Sequence, residues 1–242
     1  METRSSAWGR ETAPGARASG LSAWLGEVWA VFVKDLRSEL RTKYALNAIV
    51  MFAVVTLTAV SFAIGQFRVS TDILAALFWI VIFFAAMSGL GRVFIKEEEA
   101  GTVTTLRLAA SPSVVYAGKL LFNVVLLVLL EAVVVPLFIV LMGLSVADWG
   151  LFLAILLLGS LGLAGATTII AAIIAKAAAK GELFAVLSFP ILLPLLVTAM
   201  GGTRLALGET MGLGGGELRL LISYAVVMIA ASFMLFDFVW SE

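Results

Sequence analysis

Residues 73–102 read ILAALFWIVIFFAAMSGLGRVFIKEEEAGT. The run Ile73–Phe94 is apolar but for Ser88 and Arg92, and a helix needs about 20 such residues to cross a hydrocarbon core. Directly behind it stand Lys96, Glu97, Glu98 and Glu99, which have no place in hydrocarbon. The chain therefore leaves the bilayer there. Five more runs are long enough to cross: Leu46–Gly65, Leu120–Met142, Leu151–Ala175, Leu183–Met200 and Leu218–Trp240. Backbone polar groups in lipid must be satisfied within the protein, and runs of this length do so as helices. The expected fold is an all-α integral membrane protein with six transmembrane helices.

Composition agrees. Hydrophobic residues make up 62% and charged residues 13%, with a mean hydropathy of +1.12; soluble domains carry roughly twice that charge. Little chain is left for a soluble catalytic domain. Histidine and cysteine are absent. That removes the commonest metal ligand, the usual near-neutral proton carrier and all thiolate chemistry, so catalytic, cofactor-binding and metal sites are expected to be none. Residues 1–20 are polar, lack the apolar core of a cleavable signal peptide and read as a disordered leader.

Positive residues favour cytoplasmic loops. With the N-terminus inside, the inner segments hold Arg4, Arg10, Arg17, Lys34, Arg37, Arg41, Lys43, Arg92, Lys96, Arg107, Lys119, Lys176 and Lys180. The outer ones hold Arg68, Arg204 and Arg219, thirteen against three. Both termini are expected in the cytoplasm of a bacterial-type inner or plasma membrane. The protein's partner there is the lipid bilayer, with no nucleic acid.

In residues 21–45 Leu21, Trp24, Leu25, Val28, Trp29, Phe32, Val33, Leu36 and Leu40 recur at helical spacing. Glu27, Lys34, Asp35, Arg37, Ser38, Glu39, Arg41 and Lys43 take the other face. Tryptophan on one side and basic residues on the other predict an amphipathic helix lying in the membrane interface. The permease domain proper is 46–242.

Inside the spans, Glu131 is the one carboxylate deep in an apolar run. It is expected to face the protein, as a pathway residue or as an acid that holds two helices together. Pro136 follows it and is expected to bend the helix. Pro190 and Pro194 predict an interrupted fifth span, either lining a cavity or making a static kink. Gly159, Ser160, Gly162 and Gly165 form a small-residue surface, for packing within the chain or against a second copy. Phe236–Trp240 reads as an aromatic belt.

No Gly-x-x-x-x-Gly-Lys-Ser/Thr phosphate loop occurs; Gly118-Lys119 lacks the glycine spacing and is followed by Leu120. ATP is expected on another chain. The segment 95–119 then gains interest. Val103, Leu106, Leu108 and Ala109 can share one face of a short helix, with Gly101-Thr102 before it and Ser111-Pro112 stopping it. Such a segment either docks on a cytosolic partner or is merely a solvated acidic loop.

Several stretches together resemble the CcmB family, the haem exporter protein B of cytochrome c biogenesis. They are 34–43 (KDLRSELRTK); Phe94–Gly101 continuing to Leu106, Ser111-Pro112, Tyr116 and Gly118-Lys119; Glu131 with Pro136-Leu137-Phe138; 189–194 (FPILLP) with Thr203; and Leu235–Val239. The resemblance covers about residues 28–242. It implies an ABC-2-type permease subunit, working as a homodimer with two copies of a CcmA-type cytosolic ATPase. CcmC-type and CcmD-type membrane subunits are implied as further partners, and haem as the transported or handled ligand, delivered to an outer-face haem chaperone. It also implies that Thr102–Ala110 is the coupling helix. Glu97, Glu98, Glu99, Gly101, Thr102, Leu106, Ser111 and Pro112 become candidate ATPase-coupling residues. Glu131, Pro136, Pro190 and Pro194 are the intramembrane candidates. Without His or Cys, no stable axial ligation of haem by this chain is expected. Two other readings compete: an ABC-2 exporter of a lipid, polysaccharide or drug, and a non-transporting scaffold of the maturation complex.

Overall fold

The computed structural model describes residues 20–65, 69–175, 180–208 and 215–241. Residues 1–19 of the expected leader, Arg68 and Lys176 lie outside the described residues, and Gly20 opens the first helix.

Nine helices form among those described: α1 (Gly20–Thr42), α2 (Tyr44–Ile64), α3 (Thr71–Gly89), α4 (Arg92–Glu99), α5 (Val103–Ala109), α6 (Pro112–Met142), α7 (Trp149–Ile174), α8 (Lys180–Ala206) and α9 (Gly215–Ser241). Six segments are long and apolar enough to cross a membrane: Tyr44–Ile64, Thr71–Glu99, Pro112–Met142, Trp149–Ile174, Val186–Ala206 and Gly215–Trp240. They match the six expected spans and overrun them at several ends. Ser111 is extended and Pro112 occupies the first turn of α6, where its missing N–H costs nothing. The third span thus starts eight positions before the apolar run at Leu120. Much of the Gly-rich outer stretch is likewise helical, because α8 continues to Ala206. Gly202 allows it: a Cβ there would stand 2.6 Å from Ile155.

α7 is the central helix. Gly159, Ser160 and Gly162–Ala172 are all buried. Gly159 gives its space to the Trp79 ring, which would lie 2.3 Å from a Cβ. The Trp79 Nε1–H donates to Thr203 Oγ1 at 2.8 Å, joining α3 to α8 across that gap. Asn123 Nδ2 donates to Thr168 Oγ1 at 2.8 Å and the Tyr116 hydroxyl to the Gly165 carbonyl at 3.2 Å, tying α6 to α7. The small-residue surface is therefore consumed by packing within one chain, not by a second copy.

The two ends of the bundle differ. One gathers Lys34, Arg37, Arg41, Lys43, Arg92, Lys96, Arg107 and Lys119 among the described residues, on α1, α4, α5, the α1–α2 turn and the start of α6. At the other, Arg204 pairs with Asp72 at 2.7 Å. There the Ala147 and Asp148 N–H groups donate to the Ala206 carbonyl, and the Asp148 side chain caps α7 through Leu151 N–H.

α1 departs from the simple amphipathic reading. Val28, Val31, Phe32, Asp35 and Glu39 are its buried residues, so two acids from the supposed polar face turn toward the bundle. Leu21, Leu25, Trp29 and Leu40 are exposed. The helix carries two contact faces: one against the protein, and an outer apolar stripe. α1 ends at Lys43, which takes a left-handed backbone (φ 52), a conformation that non-glycine residues adopt at a cost. The Glu39 carboxylate helps hold this turn by accepting the Leu46 N–H at 3.0 Å, one of the orphan donors in the first turn of α2.

Candidate functional site

The segment between α4 and α6 is built from its backbone outward. α4 ends at Ala100, and Gly101 takes φ +66. Gly101 N–H donates to the Glu98 carbonyl and Thr102 N–H to the Glu97 carbonyl. This paired closure of a helix C-terminus needs the left-handed residue that glycine supplies. The Thr102 hydroxyl turns back and donates to Glu97 Oε2 at 2.5 Å. Two bonds, backbone and side chain, thus fix the start of α5 to Glu97.

Glu97 also turns into the protein. Its carboxylate accepts from Lys34 of α1 and from Lys119 of α6 at 3.2 Å. Lys119 is fully buried. Its three N–H groups find three acceptors: Glu97, Asp35 Oδ2 at 3.1 Å and the Val93 carbonyl at 3.0 Å. Lys34 closes the figure, 3.1 Å from Asp35 Oδ1. The result is a ring, Lys34–Asp35–Lys119–Glu97, with two positive and two negative groups from three helices. Buried charge is tolerable only when paired and hydrogen-bonded in this way. Burial works against the Lys34 ammonium, but Asp35 and Glu97 outweigh it and hold its pKa above the ordinary lysine value. Gly118 lets the ring close, since a Cβ there would lie 2.7 Å from Val31 of α1.

The three adjacent acids are therefore not equivalent. Glu97 is buried, while Glu98 and Glu99 are exposed. Glu99 approaches Arg92 at 3.9 Å, both partners being solvated, which is worth little. Glu98 lies beside Val103, Arg107 and Trp240.

α5 has no buried residue. Val103, Leu106 and Ala110 rest partly on the core, and the Arg107 guanidinium stands over the Trp240 ring at 5.3 Å. Leu108 is 86% exposed. The expected face of Val103, Leu106, Leu108 and Ala109 is thereby corrected. At 100° per residue, 103, 106, 107 and 110 line up, and Leu108 with Ala109 points away. Beneath α5, Trp240 stacks on Phe236 at 5.3 Å, and Phe94 and Tyr116 meet the same Phe236 ring. Phe236 and Trp240 are buried, one turn apart on the same face of α9. They form a seat under α5 where an outward-facing aromatic belt was expected; Phe238 alone of the three faces out. Ser111 is exposed and Pro112 half-buried, where α6 begins.

A family model described as CcmB protein matches residues 26–238. The chain belongs to the CcmB family. It is a multi-pass, ABC-2-like permease-type membrane component of the haem exporter used in cytochrome c biogenesis. A CcmB-type subunit belongs to a complex with an ATPase and other membrane subunits. No curated protein matches the chain.

The intramembrane candidates of this CcmB chain are scattered. Glu131 is buried on α6 and accepts a hydrogen bond from Ser160 Oγ of α7, so it joins two helices. Pro136, Pro190 and Pro194 are exposed on outer faces of α6 and α8. α8 runs as one helix through both of its prolines. The Tyr224 hydroxyl of α9 donates to the nearby Ile191 carbonyl at 2.8 Å, and Thr198 donates back to the Pro194 carbonyl. Neither acceptor is a carbonyl that the prolines free, which are those of Val186 and Pro190 one turn earlier; the two bonds anchor α8 beside its prolines and do not replace the lost ones. Sequence reasoning missed Asp35 and Lys119 as site residues. The signal was a lysine at the edge of an apolar run, four residues before Asn123 on the same face.

Proposed function

We propose that this chain is the permease half-site of an ATP-driven exporter, with α5 as the element that a CcmA-type ATPase engages. The observation that carries this reading is the mounting of α5. It has no buried side chain, presents Leu108 outward, and is fixed at its start to Glu97, whose carboxylate joins α1, α4 and α6. A push on α5 reaches α1 and α6 through Glu97, and α9 through Arg107 and Trp240. Two further points support the cytoplasmic orientation of this end: its concentration of Lys and Arg, and the opposite end's sparse positive charge. Both termini then lie inside.

Haem is the cargo on this reading, with a CcmC-type and a CcmD-type subunit beside a homodimer of the permease. The centre of the bundle is filled by Trp79, Phe78, Phe138 and Phe152. A route for haem therefore lies outside the core of one chain, along apolar outer faces between copies or partners. With neither His nor Cys, the chain leaves axial ligation of haem to a partner.

The test is Leu108→Asp in the complete complex. The side chain is 86% exposed and takes no part in the core, so the fold is expected to survive the substitution. The expected result is loss of ATPase co-purification together with loss of cytochrome c maturation. Normal recovery of the ATPase would refute α5 as its seat.

A further inference from the structure

We infer that a cavity at the charged end of the bundle is a binding site for the headgroup of a zwitterionic phospholipid, its amine inward and its phosphate at the mouth. The cavity measures about 250 Å³ and lies between α1, α2, α4 and α6. Drug-sized sites run from about 300 Å³ upward, so the volume suits a headgroup and not a porphyrin. Its apolar lining includes Val93 and Phe122, and its charged lining is Asp35, Glu39, Arg92 and Lys96. The two acids are buried and the two bases exposed, and Asp35 is already paired with Lys34 and Lys119. Glu39 is buried. One of its oxygens accepts the Leu46 N–H, and the other has no protein partner among the described residues. Arg92 and Lys96 are exposed at the rim. Arg92 is held in place by Tyr44, donating to its hydroxyl at 3.1 Å with the guanidinium 4.2 Å from the ring centre. A guanidinium has five N–H donors, so several remain. Lys96 has no ion pair among the described residues.

This order of charges selects the ligand. A lone anion entering past Arg92 and Lys96 would meet the Glu39 carboxylate. A lone cation would have to pass the two bases. A primary amine one short linker from a phosphate satisfies both ends. The position selects the source. The cavity opens where α1, with its exposed Leu25, Trp29 and Leu40, meets the first membrane span at the left-handed Lys43. That is headgroup depth for a helix lying in the interface. The site borders the coupling segment at Lys96 and the charge ring at Asp35, but it does not rest on the transport reading.

The experiment is native mass spectrometry of the intact complex, reconstituted with equal phosphatidylethanolamine and phosphatidylglycerol. The wild type is expected to retain phosphatidylethanolamine preferentially. Glu39→Gln keeps an acceptor for the Leu46 N–H and removes the charge. It is expected to cut that preference roughly tenfold, the loss of one charge-assisted hydrogen bond. Lys96→Glu, at an exposed side chain, is expected to lower retention of the same lipid. Equal retention of both lipids by the wild type would overturn the assignment, as would a preference that survives both substitutions. Preferred retention of phosphatidylglycerol would overturn it as well, since the buried acid would then play no part.

Discussion

Lys119→Met tests the ring of charges most directly. Methionine keeps the length and apolar stem of lysine, and removes only the ammonium and its three hydrogen bonds. Asp35 and Glu97 are then left facing one another with Lys34 alone to pair them, and the Val93 carbonyl loses its donor. Breaking a buried ion pair by removing one partner costs about 3–5 kcal/mol. Domains of about this size lose roughly 2–4 °C in melting temperature per kcal/mol, so a drop of roughly 10 °C is expected. The assay is thermal unfolding of the detergent-solubilised complex, followed by size-exclusion recovery after heating. The exposed Lys96→Met is the control and should shift stability by no more than about 0.5 kcal/mol. The double variant Asp35→Asn, Lys119→Met restores local neutrality by leaving one pair, Lys34 with Glu97. It is expected to be more stable than Lys119→Met alone, with clear non-additivity in the double-mutant cycle. A single variant that melts with the wild type, or a cycle that closes additively, would refute the ring as a joint between α1, α4 and α6.

Gly159→Leu should destabilise by several kcal/mol, because even a Cβ there lies 2.3 Å from the Trp79 ring and overpacking alone costs about 1–3 kcal/mol; thermal unfolding reads it. Gly118→Val should lift α1 away from α6 at Val31, made visible as faster proteolysis within 20–43 while the spans remain protected. Glu131→Gln should leave cytochrome c output at the wild-type level, because an amide oxygen still accepts from Ser160; a silent output would assign the charge itself to function. Glu98→Ala and Glu99→Ala should leave stability unchanged, whereas Glu97→Ala should destabilise like Lys119→Met, which separates the three acids by melting temperature alone.

Much of the architecture was legible because a bilayer is a strict solvent. Runs of about 20 apolar residues have few alternatives, and all six appear as helices. The short α5 was legible from its punctuation, Gly101 before it and Ser111-Pro112 behind. What was not legible was which face of each element meets which neighbour. On α1, hydropathy alone put Asp35 and Glu39 with Arg37 and Arg41 on one polar side. The fold splits them, because Lys119 waits opposite Asp35, and the α1–α2 turn leaves an N–H for Glu39. A periodicity along one helix carries no information about a lysine some eighty residues away. The same limit explains Leu108, which joined the apolar face only by composition, and Phe236 with Trp240, whose partners on α4 and α5 were invisible from their own run.

Gly118-Lys119 shows how far local reading can mislead. As a phosphate-binding fragment it fails, and at the start of an apolar run a lysine looks like a surface anchor. In the fold the glycine admits α1 to within van der Waals contact of α6, and that approach is what buries the lysine. Once buried, the ammonium needs acceptors on every N–H, and these come from α1, from the α4 backbone and from the one acid of the triplet that faces inward. An apolar residue at 119 could pack as stably, but it would not fix which turn of α1 lies against which turn of α4. The charges do, since a slip of either helix by one turn would leave Lys119 without one of its carboxylates. The register of α1 against the coupling segment is thus set by the same contacts that would carry motion between them. For that reason Lys119→Met and Leu108→Asp should fail differently: the first in stability, the second only in assembly with the ATPase.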